Sequence, residues 1–162
     1  MSGSVRLPKV VLIGFLLLAM VISFMFSPFM QKADASVSWG QEVTEVAKQY
    51  KGTPYKWGGN TSKAFDASGF TQFIFKTSAA KIQLPHSSKA QYKLGKSVKP
   101  KDLKEGDLVF FNTNGKDVSF VGIYLGKNQF IAVTVKNGVS VQSFTSKYWK
   151  DRYVGAKRVL KE

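Results

Sequence analysis

Apolar positions change their period once along the chain. Val43, Val46, Ala47 and Tyr50 fall at i, i+3, i+4 and i+7, which predicts a helix over 41–51 with one buried face. Gly52 and Pro54 stop it. A second helix is predicted from Asp66, a good N-cap or first-turn residue, with Phe70, Phe73, Ile74 and Ala80 as its apolar positions. The polar stretch 87–92 predicts a third, short helix. Beyond residue 105 the pattern is that of strands, predicted over 108–111, 118–125, 129–135, 138–144 and 152–160. Gly126-Lys127-Asn128 and Lys136-Asn137-Gly138 read as hairpin turns between them. Helices first and an antiparallel run afterwards predict an α+β domain, N-terminal helices packed on a mostly antiparallel sheet of about five to six strands. No internal repeat or linker marks a second module.

The first 35 residues do not fit that pattern. Arg6 and Lys9 precede an uncharged run from Val10 to Phe26, Pro28 follows, and Ala33-Asp34-Ala35 is a small-x-small site. This is the layout of a secretory signal peptide cut after Ala35, leaving 36–162 as the domain. The other reading is an uncleaved membrane anchor, since the apolar stretch approaches the roughly 20 residues a span needs. Either reading places the remainder outside the cytoplasm, secreted or associated with the cell wall.

Composition narrows the chemistry. The 162 residues include no cysteine and one histidine, His86. No thiol nucleophile, disulfide framework or thiolate metal site is available, and a His-rich metal cluster is excluded, so no metal and no cofactor are expected. An exported chain without cysteine suits a surface where disulfides are not relied on, as in many Gram-positive bacteria. The chain carries 24 Lys+Arg against 10 Asp+Glu. Removing residues 1–35 takes Arg6, Lys9, Lys32 and Asp34 with them, leaving 21 against 9 and a charge of +12. In an exported protein this favours anionic wall polymers over nucleic acid; the plainer reading is a solvated basic surface. A membrane partner is expected only if the leader stays uncleaved.

Five segments then carry a resemblance. Tyr55-Lys56-Trp57-Gly58-Gly59, Phe65-Asp66-Ala67-Ser68-Gly69-Phe70, Glu105-Gly106-Asp107-Leu108-Val109-Phe110-Phe111, Phe120-Val121-Gly122-Ile123-Tyr124-Leu125-Gly126 and Phe130-Ile131-Ala132 follow one another in the order and spacing of the NlpC/P60 cell-wall cysteine peptidases. The resemblance spans about 41–158 and implies a papain-like α+β fold and activity on peptidoglycan stem peptides. It also implies a Cys at a helix N-terminus, a His on a following strand and a third polar residue on the next strand. At those positions this chain has Ala67, Phe120 and Ala132. A methyl group cannot attack a carbonyl, a phenyl ring cannot shuttle a proton, and alanine cannot fix an imidazole tautomer. The chain is therefore expected to be a catalytically inactive pseudoenzyme, and the former catalytic floor to be apolar, either filled by the Phe120 ring or open as a small pocket. Three losses together fit natural degeneration better than an engineered substitution.

What remains at the site defines a candidate ligand-binding set of Tyr55, Trp57, Asp66, Ser68 and His86. The resemblance places Tyr55 beside the nucleophile position, and Asp66 and Ser68 around the free amine of a stem peptide. The alternative is that Asp66 caps its helix and Ser68 bonds locally. His86 reads as a surface or loop histidine capping a short helix, or as half of a replacement Ser-His catalyst with Ser68, Ser87 or Ser88. Trp39, Trp57 and Trp149 either stack on sugars or, as such residues more often do, pack the core or its edge. Three functions follow. One is binding of peptidoglycan peptide or a cell-wall protein without cleavage. Another is a peptidoglycan peptide hydrolase, DL-endopeptidase-like, with a non-standard constellation. The last is an interaction module whose apolar former site holds a partner or hydrophobic ligand.

Overall fold

The computed structural model describes residues 37–161. The predicted leader and its cleavage after Ala35 lie outside them. Among the described residues no helix is long and apolar enough to cross a membrane.

The chain folds as α+β, with helices followed by a six-stranded antiparallel sheet. Helix α1 is Trp39–Gln49. It starts two residues before the predicted 41 because Ser38 and Gln41 form a reciprocal capping box, satisfying two orphan donors. Strands β1 (Asn60–Thr61) and β2 (Ala64–Phe65) make a small hairpin. It leads into helix α2, Ala67–Thr77, with Asp66 as the N-cap. Helix α3 is a single turn, Ser88–Gln91, capped by Ser87. Strand β3 (Lys96–Val98) and a 3-10 turn (Pro100–Asp102) precede β4 (Leu108–Phe111), β5 (Phe120–Gly126), β6 (Gln129–Thr134) and β7 (Gly138–Ser143). A second single-turn helix, α4 (Lys147–Lys150), and strand β8 (Tyr153–Arg158) close the domain.

Strand order is β3-β8-β4-β5-β6-β7. Period-2 alternation sends successive side chains to opposite faces, and here both faces are covered. Leu108, Phe110, Val121, Ile123, Ile131 and Val133 pack under α1 and α2 with Val43, Phe70, Ile74 and Phe75. Val109, Phe111, Phe130, Ala132 and Ala156 face the other way, onto Trp149 of α4. That is why β4 reads as an unbroken apolar run. The β5–β6 turn has Lys127 and Asn128 both at positive φ, 49° and 57°. This is the twist-matching geometry of a two-residue hairpin.

The strand edges differ from expectation by one or two residues. The elements missed altogether (β1, β2, β3 and α4) are two to four residues long and carry too little apolar pattern to announce themselves. A further correction concerns the tryptophans. Trp149 is buried at 7% exposure, but Trp39 and Trp57 stand 50% and 85% exposed, so only one of the three packs a core.

Arg158 on β8 closes the sheet electrostatically. Its Nε and Nη2 donate to the two oxygens of Asp107 at 2.8 Å each, and Asp107 is 1% exposed. The Lys104 N–H donates to the same carboxylate at 2.8 Å. Breaking one side of such a pair strands a buried charge. Arg158→Ala is expected to cost about 3–5 kcal/mol in chemical denaturation; a loss below 1 kcal/mol would count against this role.

Tyr153 offers a test of opposite sign. Its hydroxyl is buried without a hydrogen-bond partner among the described residues. Burial chiefly, then the neighbouring Tyr92 and Asp107, pushes its pKa up to about 12. The unfolded tyrosine ionises near pH 10. Stability is thus fully present below that pH and falls as pH rises from about 10 to about 12. Tyr153→Phe should raise the neutral-pH Tm or leave it unchanged, and should remove this part of the alkaline loss. A lowered Tm would show that the hydroxyl has a partner after all.

Candidate functional site

Three stretches that are distant in sequence meet at the start of α2. They are the turn around Gly58, the first turn of the helix, and the loop that carries His86. Asp66 joins them. Its Oδ1 accepts from the Gly69 N–H at 2.7 Å, which is the N-cap bond, and from Ser68 Oγ at 3.1 Å. Its Oδ2 accepts from the Gly58 N–H at 3.0 Å. His86 Nε2 lies 2.9 Å from both oxygens. The Asp66 side chain is 16% exposed and that of His86 27%. An ionised carboxylate only accepts, so Nε2 is the donor in this pair, and in the neutral ring Nδ1 would be the acceptor.

A buried amide fixes this arrangement from behind. Gln91 is 0% exposed. Its Nε2 donates to the Ser68 carbonyl at 3.1 Å and to the Pro85 carbonyl at 2.8 Å, while its Oε1 accepts from Thr71 Oγ1 at 2.8 Å. One side chain thereby ties the residue before His86 to the helix that carries Asp66. Gln72 Nε2 adds a bond to the Leu84 carbonyl at 2.8 Å. Gly69 leaves the necessary space: a Cβ there would stand 2.0 Å from the Gly59 carbonyl oxygen and 2.9 Å from His86 Nε2.

The pair borders an open cleft of about 1250 Å³. Tyr55, Trp57, Asp66, Ser68 and His86 all line it, so the fold brings the whole predicted binding set together. The three alanine and phenylalanine positions are split. Ala67 is the first residue of α2 and lines the cleft. Phe120 also lines it, with its ring laid on Trp149 at 4.9 Å between centroids. Ala132 is fully buried in the second core and does not reach the cleft. The floor is therefore partly apolar, and the Phe120 ring leaves the cleft open rather than filling it. Lys89 Nζ and Asp117 Oδ2, 2.5 Å apart, pin α3 to the loop before β5 along one wall. Among the described residues no group of three or more His, Cys, Asp or Glu is placed to hold a metal.

Sequence reasoning had no means of seeing the Asp66–His86 contact across 20 positions, or the role of Gln91. The available signal was weak: one polar, amide-bearing residue in a short helix that shows no helical apolar face. His86 does lie exposed in a loop, where it has a carboxylate partner. Ser87, not His86, caps the short helix. No hydrogen bond links Ser68, Ser87 or Ser88 to the His86 ring; Ser68 Oγ is turned to Asp66 instead.

The NlpC/P60 family pattern matches residues 52–158. The gamma-DL-glutamyl hydrolase of Bacillus subtilis is 40% identical over 152 residues, covering 90% of this chain and 36% of that protein. The murein DD-endopeptidase MepS/murein LD-carboxypeptidase of Escherichia coli is 43% identical over 118 residues, covering 73% of this chain and 62% of that protein. This chain thus spans less than two thirds of these relatives. A crystal structure of an NlpC/P60 family protein from Bacillus cereus superposes with TM-score 0.70 at 31% identity, over 75% of this chain and 40% of that one. The NlpC/p60 domain of the peptidoglycan hydrolase SagA superposes with TM-score 0.64 at 29% identity, over 74% and 97%.

These findings overturn the expectation that the chain is not an enzyme. It rested on Ala67, Phe120 and Ala132 alone. Relatives at 36–43% identity bear the names of endopeptidases and hydrolases, and they point to an enzyme.

The crowding at Gly69 generates a direct test. Gly69→Ala is expected to push the Gly58–Gly59 turn and His86 away from α2, destabilising the fold by about 1–3 kcal/mol in denaturant unfolding. Unchanged stability together with an unchanged His86 ring signal in NMR would contradict this packing.

Proposed function

The chain belongs to the NlpC/P60 family, and on that footing we propose that it hydrolyses peptide bonds of peptidoglycan in this cleft, outside the cytoplasm. One observation carries the reading. The single histidine of the chain is paired with a carboxylate at a helix N-terminus and borders an open cleft. The names of the relatives support peptidoglycan peptide as the substrate class, and the glutamyl hydrolase supports a glutamyl-linked bond. The proposed leader at residues 1–35 would deliver the chain to the wall, and the basic excess of residues 36–162 suits an anionic surrounding.

Ala67 offers no nucleophile, so the proposed route is direct attack by water. His86 Nδ1 takes a proton from the water as its oxygen bonds to the amide carbon. The carbonyl oxygen becomes an oxyanion, favoured by the positive end of the α2 dipole. The C–N bond then breaks, and the imidazolium returns its proton to the departing amine. Asp66 holds the ring in the productive tautomer and stabilises the imidazolium. Ser68 steadies Asp66, and Tyr55 forms the wall along which the peptide lies.

Incubating the purified chain with peptidoglycan and quantifying new amine termini tests the proposal. Wild type should release them, and His86→Ala should slow release by about 10²–10⁴-fold. No release by wild type, or full release by His86→Ala, would sink it.

A further inference from the structure

We propose that Trp57, Tyr148 and Val135 form a saccharide subsite on the rim of the cleft, so that the stem peptide is taken while attached to a pyranose of the glycan strand. This deepens the hydrolase reading and rests on it. The three residues stand 85%, 50% and 77% exposed, and all line the cleft that Asp66 and His86 border. Large apolar side chains grouped in water at one cleft mark a binding surface rather than leftover surface.

The Trp57 backbone and the Tyr148 ring are both fixed. Trp57 sits in a turn fixed by the Gly58 N–H on Asp66 and by the Gly59 N–H on the Lys56 carbonyl at 2.9 Å. Its platform is therefore referenced to the same carboxylate that orients His86. Tyr148 is clamped by the Arg152 guanidinium, 3.9 Å from its ring centroid, and by the Trp149 ring edge-on at 4.8 Å. A pre-ordered aromatic loses little conformational entropy on binding.

Beside Val135 and Tyr148 the lining also carries the Lys136, Asn137 and Ser146 side chains. Hydroxyls and amides suit the hydroxyl and acetamido groups of an amino sugar, while aromatic faces suit the C–H faces of its ring. A lipid tail or an apolar partner helix would leave these groups without partners. Size agrees as well. A volume of about 1250 Å³ exceeds the roughly 300–1,000 Å³ of pockets for drug-sized ligands, leaving room beside a short peptide.

Titration calorimetry with two soluble probes tests the subsite: a stem peptide, and the same peptide on its N-acetylglucosaminyl-N-acetylmuramyl disaccharide. Wild type should bind the disaccharide form about tenfold more tightly, the worth of one good ring contact. Trp57→Ala and Tyr148→Ala should each bring that ratio close to one, and Trp57→Phe should keep part of it, which guards against a mere folding defect. Equal wild-type affinities, or a ratio unmoved by both alanine variants, would overturn the subsite and leave the hydrolase reading intact. Binding of neither probe would overturn both.

Discussion

The fold around the cleft depends on the carboxylate of Asp66. A carboxylate has about four lone-pair sites, and here four donors converge on it: two backbone N–H groups, a serine hydroxyl and an imidazole. The donors belong to three stretches outside the six-stranded sheet. The turn at Gly58 is exposed, the first helical turn has orphan N–H groups, and the His86 loop has no ladder of its own. Satisfying them all at one side chain makes the cap of a helix and the geometry of the site a single structural feature. It also bears on ligand chemistry. With its lone pairs engaged internally, Asp66 is better suited to orienting His86 than to receiving a substrate ammonium.

Behind that carboxylate, Gln91 and Gly69 do complementary work. Gln91 supplies attraction, tying the Ser68 and Pro85 carbonyls to one buried side chain. Gly69 supplies absence, since any side chain there would collide with the Gly59 carbonyl. The sheet contributes a rigid base for both. Its two buried faces fix β5 and β6, and the Asp107–Arg158 pair fixes β4 against β8. The cleft then opens beside the end of β5, where Phe120 lies on Trp149 rather than across the opening.

Much of this was legible in the amino-acid order. The 3.6-residue period of Val43, Val46 and Ala47 and the apolar run at 108–111 placed α1 and β4, and Asp66 was readable as a helix cap. Motif order singled out Tyr55, Trp57, Asp66 and Ser68, and these line one cleft together with His86. Contacts across long loops were not legible. His86 meets Asp66 only because α3 and its buried glutamine draw the loop back onto α2, and no local pattern encodes that. Tryptophan burial also escaped prediction. Trp149 and Trp57 are alike in composition terms, yet one fills a core under the sheet and the other stands in water. The inference from Ala67, Phe120 and Ala132 to an inactive protein failed for a related reason. It judged chemistry from three positions, while the cleft also holds a paired histidine and carboxylate and the relatives carry enzymatic names.

Because the chain has one histidine, its ring nitrogens give a single set of NMR signals. The most direct measurement is the tautomer of His86 in ¹⁵N-labelled protein, with and without Asp66→Asn and with added stem peptide. A base held by Asp66 predicts a proton on Nε2, an unprotonated Nδ1 that shifts when stem peptide is added, and a changed pattern in Asp66→Asn. A proton on Nδ1, with ring signals indifferent to both the substitution and the peptide, would contradict the account.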